Sequence, residues 1–294
     1  MPASLATTSP VARYWLPAMS RKKSDLRLAP GANSVGAGRR ADLAIEDDRV
    51  LAVGDLAAMD ARDRIDATGL VVAPGFVDLH THSVRSDDGR AKVDNYCQWI
   101  RKKELPLDGM VLTEHRQFDD VSDYRALEDE YGILILKASE VETDYGHVLV
   151  FGVNDDMRAA YDFTRIDLPL EQVLRETERC GGVAVPCHPG RPRVGLFDHF
   201  EAQGVVEGVS VIETLNGGSR GEEDARALAL AQTHGYRGIG GSDAHIVSQI
   251  ARCVTRFPRE IRAVLLGESL GQANFASGFE GPSLDTWYVY NQSR

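Results

Sequence analysis

The chain is poor in cysteine, in positive charge and in long apolar runs, and each shortage narrows what it can be. Four cysteines stand among 294 residues (Cys97, Cys180, Cys187 and Cys253), with no CxxC pair. That excludes a disulfide scaffold and points to reduced, mostly buried thiols in a cytoplasmic protein. Lys and Arg number 33 against 44 Asp and Glu, a formal net charge of −11. So acidic a chain lacks the basic surface that nucleic acid or an anionic bilayer requires, and stable nucleic-acid binding is not expected. An anionic substrate remains admissible where metals or local arginines reverse the field. No apolar stretch approaches the roughly 20 residues that span a bilayer, so no membrane association is expected. The first 40 residues hold seven Lys/Arg and one acid, Asp25. They lack the apolar core of a secretory leader and read as a disordered or loosely ordered extension.

What is present suits a soluble enzyme. Hydrophobic residues make up 43% and charged residues 26% of the sequence, enough for one large domain, alone or with a small one, around a substantial core. Six of the eight histidines fall in short clusters of metal-type donors. The clusters are Asp78-Leu79-His80-Thr81-His82, Ser86-Asp87-Asp88-Gly89, Thr113-Glu114-His115, Glu140 followed by Gly146-His147, Cys187-His188-Pro189-Gly190-Arg191, and Gly241-Ser242-Asp243-Ala244-His245. Imidazole and carboxylate are the donors that Zn, Mn or Fe select. A lone buried histidine is usually a satisfied core group. Six at successive strand ends would leave many polar atoms unmatched unless cations collect them.

The organisation supports this placement. Between Ala41 and Asp66 two apolar runs flank Asp47-Asp48, a β-hairpin pattern, and Ile65–Val72 gives a further strand before the turn Ala73-Pro74-Gly75. From Phe76 the rhythm becomes strand, helix, strand. Buried parallel strands are expected at Phe76–Leu79, Gly109–Leu112, Ile133–Leu136, Val148–Phe151, Val183–Val185, Val209–Ile212 and Tyr236–Ile239. Helices are expected at Val93–Lys103, Val121–Tyr131, Leu170–Cys180 and Glu222–His234. This is an α/β fold whose parallel sheet closes on itself, with the donor clusters at the C-terminal mouth.

Over about Val77 to Phe257 the chain resembles the PHP (polymerase and histidinol phosphatase) family of metal-dependent phosphoesterases. The resemblance rests on His80-Thr81-His82, Thr113-Glu114-His115, Glu140, Gly146-His147, His188-Pro189, Asp243-Ala244-His245 and Glu213-Thr214-Leu215-Asn216-Gly217. It implies a distorted seven-stranded β/α (TIM-like) barrel over residues 76–260, followed by a C-terminal extension, 261–294. It also implies two to three divalent ions (Zn, Mn or Fe). The first would take His80, His82, Glu140 and Asp243; the second would share Glu140 and add His147 and His188. The third would take His115, His245 and either Asp87 or Asp88, Asp88 being preferred. Glu140, Asp243 and His245 would be the catalytic residues. A second resemblance, over about Ser24 to His82, is to the start of an amidohydrolase of the D-aminoacylase or dihydroorotase kind, carried by Arg40–Gly54 and Ile65–His82. It implies a small β-rich segment, 41–75, before the barrel. Its partner strands are not evident in the tail.

The implied reaction is hydrolysis of a phosphate ester: a small phosphomonoester, a nucleotide or a cyclic phosphodiester. Cations answer the slowness of that reaction by lowering the pKa of water from 15.7 to about 7 and neutralising phosphoryl charge. Arg191, close after His188, is the candidate phosphate clamp. Arg193, Lys137 and Arg116 are weaker versions of the same idea, and Tyr145 and His199 read chiefly as structural. His234 fits the last turn of a helix. Glu114 is a candidate hydrogen-bond partner of a ligand histidine, and Cys187 a lining residue. The alternative activity is cleavage of an N-acyl amino acid or related C–N bond, suggested by the N-terminal segment alone. The non-catalytic alternative is a metal-binding fusion.

Overall fold

The computed structural model describes residues 25–34, 40–46, 49–61, 63–65, 71–72, 76–105, 107–256 and 285–288. They divide into two units, Met1–Pro74 and Gly75–Arg294. No described helix is long and apolar enough to cross a membrane.

The first unit is a five-stranded sheet. Strands β1 (Asp25–Ser34), β2 (Arg40–Glu46), β3 (Arg49–Gly54) and β4 (Asp63–Ile65) lie in the order β3-β2-β1-β4, and β5 (Val71–Val72) also pairs with β1. β2 and β3 are antiparallel, from Asp42 opposite Gly54 to Glu46 opposite Arg49. The expected turn residues Asp47-Asp48 and Ala73-Pro74-Gly75 lie outside the described residues. Within the stretch 1–40, read from the sequence as a loose extension, residues 25–34 form β1. There the backbone of β1 pairs antiparallel with β2 and parallel with β4, which supplies hydrogen-bond partners that a coil would take from water. The β1–β2 register shifts between Leu28 and Ala32, a stretch that includes Pro30, which has no N–H to give the ladder. Residues 1–24 and 35–39 lie outside the described set.

The second unit carries the donor clusters. Its elements are β6 (Phe76–Thr81), α1 (Val93–Lys102), β7 (Gly109–His115), α2 (Arg125–Tyr131), β8 (Leu134–Thr143), β9 (Gly146–Phe151), α3 (Asp155–Ala160), α4 (Leu170–Arg179), β10 (Val183–Pro186), α5 (Leu196–Gln203), β11 (Val211–Asn216), α6 (Glu223–His234), β12 (Arg237–Gly241), β13 (Cys253–Arg256) and β14 (Asp285–Tyr288). Seven strands form one sheet in the order β10-β9-β8-β7-β6-β13-β14, and β11 and β12 form a separate parallel pair. The closed parallel seven-stranded barrel expected from the sequence is therefore corrected to a mixed sheet curled into a half-barrel. Its only parallel neighbours are β6–β7 and β7–β8; every other adjacent pair in it is antiparallel. β8 and β9 are antiparallel because two residues, Asp144 and Tyr145, join them, whereas a parallel crossover needs a dozen or more. β14, in the tail expected to lack strands, is antiparallel to β13; 257–284 and 289–294 lie outside the described residues.

The strand period of two sorts the core. Inward residues Val77, Leu79, Val111, Leu134, Leu136, Ala138, Leu149, Phe151, Val185, Val211 and Ile239 pack together inside the curl. Their alternates meet the helices: Met110 and Leu112 lie in one cluster with Tyr96, Cys97 and Ile100 of α1. α1 buries Val93, Tyr96, Cys97 and Ile100, the i, i+3, i+4, i+7 face. Its Asp94 at the start and Arg101 and Lys102 at the end complement the helix dipole. Burying one such apolar side chain contributes about 1.5–3 kcal/mol.

The same parity that sets the core delivers the polar donors. Along β8, Leu134, Leu136 and Ala138 lead to Glu140; on β9, Phe151 and Leu149 lead back to His147; on β7, Val111 leads through Thr113 to His115. The β6–β7 register shifts between Asp78 and Thr81. There Thr81 N–H donates to Thr113 Oγ1 at 3.2 Å and Thr81 Oγ1 to Val111 O at 2.7 Å. Beyond β12 the chain runs against β6: Asp243 N–H donates to His80 O at 2.8 Å and His82 N–H to Ala244 O at 2.9 Å. Gly241 permits that approach, because a Cβ there would strike the His80 backbone and side chain.

Candidate metal centre

Glu140 is fully buried and stands at the centre of five imidazoles. Its Oε2 lies 3.0 Å from His80 Nε2, 3.1 Å from His82 Nε2 and 3.3 Å from His115 Nδ1. Its Oε1 lies 2.7 Å from His147 Nδ1 and 3.2 Å from His188 Nε2. Asp243 Oδ1 lies 3.4 Å from His80 Nε2 and 3.3 Å from His82 Nε2. His82 packs against both His115 (4.2 Å between ring centres) and His245 (4.4 Å), whose own ring centres are 5.9 Å apart. Glu140 sits within β8 rather than at its end, and His147 opens β9 rather than closing a strand; both follow from the β8–β9 hairpin. Gly146, at φ 97°, makes its turn, and a Cβ there would meet the Val194 carbonyl that accepts His147 N–H at 3.0 Å.

Partners behind the rings fix their tautomers. His80 Nδ1 donates to Glu213 Oε1 at 3.0 Å. His245 Nδ1 donates to Asp243 O at 2.9 Å. Ser86 Oγ donates to Glu114 Oε2 at 2.6 Å, so it accepts from His82 Nδ1 at 3.3 Å and from His115 N–H at 3.0 Å. Glu114 also takes Ser83 Oγ at 2.6 Å. The Nε2 lone pairs of His80 and His82 are thereby turned onto Glu140 and Asp243, where a lone pair facing a carboxylate needs a proton or a cation between them.

The donor set fits a cation. His80 Nε2 and His82 Nε2 lie 3.1 Å apart, and each lies 3.0 to 3.4 Å from Glu140 Oε2 and Asp243 Oδ1. Donors about 2.0–2.2 Å from one ion stand roughly 3.0 Å apart at octahedral and 3.4 Å apart at tetrahedral angles. Two further groups close enough to share an ion are His115, Glu140 and His147, and His80, Glu140, Cys187 and His188; a third is His82, His115 and His245. Without an ion, protons take its place. Burial opposes charge on His80, but Glu213, Asp243 and Glu140 outweigh it and hold the imidazole well above its ordinary value. Against the same burial, hydrogen bonds to Asp243 and Glu140 raise His82 to about 9. Glu140 and Asp243 are held well below the carboxylate range despite burial, by His115 and His80 and by His80 and His82 respectively. Burial pushes His115 down to about 4 and lowers His188, while Glu140 raises His147 against burial.

Of the remaining candidates, Asp88 reaches the cluster: its carboxylate lies 3.1 Å from His245 Nε2 and 3.6 Å from His115 Nε2. Asp87 is 86% exposed and holds Arg116 Nη2 at 3.0 Å, so of the two aspartates Asp88 is the one that contacts the imidazoles. Arg191 is brought in, but its fork is engaged: Nη1 donates to Asp243 Oδ2 at 2.9 Å and Nη2 to Asn216 Oδ1 at 3.0 Å. Arg116 spans Asp87 and Glu142, and Lys137 Nζ donates to Ser122 O at 2.9 Å. Arg193 gives its backbone N–H to Asp198, His199 Nε2 faces Arg193 O, and Tyr145 packs near His199 and Phe200. His234 ends α6, stacked on Tyr236.

In the sequence Glu213 is only one residue of the Glu213–Gly217 stretch; in the fold it carries His80 Nδ1 at 3.0 Å, the His188 N–H at 2.8 Å and Asn216 Nδ2 at 2.8 Å. Its signal was available: an acid directly after the apolar pair Val211-Ile212, as the other clusters follow theirs. Asp78 is a second case. Its carboxylate ties Ser242 N–H (2.8 Å) and Ala251 N–H (2.9 Å) to β6, and burial pushes it up to about 6.

Comparison with known proteins gives two affinities. Residues 221–268 match the family model described as PHP-associated. The N-terminal region is similar to amidohydrolases: the D-aminoacylase of Alcaligenes xylosoxydans xylosoxydans is 54% identical over 84 residues, 28% of this chain and 15% of that protein. The chain thus spans a small fraction of the length of this relative. Among solved structures, PsfC from Pseudomonas syringae shares the fold at a TM-score of 0.53 and 20% identity, over 74% of this chain and 93% of that one. A metal-dependent phosphoesterase, described as putative, from Bifidobacterium adolescentis gives a TM-score of 0.43 at 18% identity, over 71% of this chain and 96% of the other.

Proposed function

We propose that this chain is a metal-dependent hydrolase of PHP type that cleaves a small phosphate ester, with Glu140, Asp243 and His245 at the reacting centre. The carrying observation is one buried carboxylate, that of Glu140, ringed by nitrogens of five histidines at 2.7–3.3 Å. Divalent ions bound there supply Lewis acidity and neutralise charge on a phosphoryl group. The residues do the rest. Glu213 and Ser86 hold the Nδ1 protons of His80 and His82, leaving Nε2 free toward the centre. Arg191 fixes Asp243 through Nη1 and Asn216 through Nη2 while Nε faces Glu223 Oε2 at 3.7 Å, so one N–H on each Nη is left for an anion. The deep side, His80 and His82, is closed to water. The side chains of His115, His147 and His245 are 17%, 19% and 24% exposed, so a substrate phosphate would enter along them, past Asp88.

A second reading, hydrolysis of an N-acyl amino acid, has the N-terminal similarity in its favour. Against it, Lys137, the lysine nearest in sequence to Glu140, is turned to Ser122 O at 2.9 Å. Elemental analysis beside assays on p-nitrophenyl phosphate, bis-p-nitrophenyl phosphate and N-acetyl-D-amino acids separates the readings. Two to three ions with phosphate-ester cleavage is the expected result. Amide cleavage alone would replace the proposal with the second reading, and absence of metal and of both activities would leave a non-catalytic fusion. Glu140→Ala should lose activity and at least one metal equivalent; full retention of both would sink the central role of Glu140.

A further inference from the structure

Cys187 is buried and its Sγ points into the same centre. It lies 3.3 Å from Glu140 Oε1 and 3.4 Å from His188 Nε2, and those two atoms are 3.2 Å apart. Consecutive residues of an extended chain normally face opposite ways. Here His188 has φ 32°, which breaks the alternation and brings its ring to the same side as the preceding thiol. The other cysteines, Cys97, Cys180 and Cys253, are buried too, but none belongs to a donor group among the described residues.

The separations match coordination. With Zn–S of about 2.3 Å and Zn–N or Zn–O of about 2.0–2.2 Å, sulfur stands roughly 3.6 Å from a neighbouring donor at tetrahedral angles and roughly 3.1 Å at octahedral ones, and the observed 3.3 and 3.4 Å fall between. We infer that Cys187 is a sulfur ligand of the ion held by Glu140 and His188, so that this position is built for a thiophilic cation, zinc or ferrous iron, rather than for manganese or magnesium. The inference rests on the proposed metal centre and specifies which metal that centre selects. On binding, the S–H bond breaks, a metal–sulfur bond forms, and the proton passes to solvent. The competing role is a plain hydrogen bond, the thiol donating to Glu140 Oε1.

Cobalt(II) loading separates the two. Metal-free protein is titrated with cobalt, and bound cobalt and the near-ultraviolet spectrum are recorded for wild type, Cys187→Ser and Cys187→Ala. A thiolate-to-cobalt charge-transfer band is expected in the wild type and absent in both variants. Zinc affinity should fall roughly 10-fold or more in Cys187→Ser, a ligand counting for at least as much as the groups that orient ligands. Manganese affinity should change little. Bound cobalt without the band in wild type, or a band that survives in Cys187→Ser, overturns the sulfur ligand while leaving the metal centre standing. Failure of the wild type to bind cobalt at all overturns the centre itself, and the inference with it.

Discussion

Replacing Glu213 with glutamine tests whether the rings are oriented from behind. The carboxylate is fully engaged: Oε1 accepts His80 Nδ1–H at 3.0 Å, and Oε2 accepts His188 N–H and Asn216 Nδ2–H, both at 2.8 Å. Glu213→Gln keeps the shape and turns one oxygen into an NH2 donor. If that donor faces His80, the ring must move its proton to Nε2, among the atoms that would hold the ion. If it faces the other way, it meets two donors. Either arrangement leaves a buried polar group unmatched, which costs about 1–3 kcal/mol. Loss of an orienting partner lowers metal affinity about 10–100-fold, or about 1.4–2.8 kcal/mol, the same size. Zinc affinity by chelator competition and urea unfolding of the metal-free proteins are the two assays. The expected pair is a 10–100-fold weaker zinc affinity with about 1–3 kcal/mol less stability. Lower stability with unchanged zinc affinity would refute the orienting role and leave Glu213 a structural carboxylate.

Two further outcomes follow from the same geometry. Asp88→Asn should lower the metal content by about one equivalent, because Asp88 alone of the pair reaches His115 and His245. Asp87→Asn should leave it unchanged, and elemental analysis giving the reverse would place the wrong aspartate at the centre. Metal uptake should also release protons. His82 is raised from 6.5 to about 9, so its proton stabilises the metal-free protein fully below about 6.5, and that stability is lost as the pH rises through about 9. Thermal midpoints of metal-free protein should fall across that window, and calorimetry of zinc binding near neutral pH, in buffers of different ionisation heat, should show at least one proton released per chain. Uptake without proton release would mean the imidazoles are already neutral.

Much of the second unit was legible because its strands repeat with period two and its helices with 3.6. α1, α4 and α6 begin and end within one residue of their expected bounds. α2 starts four residues later than expected, since the Asp119 carboxylate accepts Val121 N–H and Ser122 N–H and holds those residues in a turn. α3 is a single short helix capped by Asn154, whose side chain accepts Met157 N–H, and nothing in its composition announces it. Strand direction is the larger miss. An apolar run reports burial on both faces and is silent on direction, which the connection sets. The two residues between Thr143 and Gly146 already required an antiparallel pair.

The centre divides the same way, by separation along the chain rather than by chemistry. The acceptor behind His82 is Ser86, four residues on, and the acceptor behind His245 is the Asp243 carbonyl, two residues back; both lay inside the clusters that the sequence exposes. The acceptor behind His80 is Glu213, 133 residues away, and Arg191 grips Asp243 across 52. No local pattern holds both members of such a pair. A guanidinium near a histidine therefore reads from sequence as a phosphate clamp, while the folded chain first sets it to hold an aspartate. Inner-face parity delivers the donors to one mouth, but the tautomers that make them donors depend on contacts that exist only after the sheet has curled.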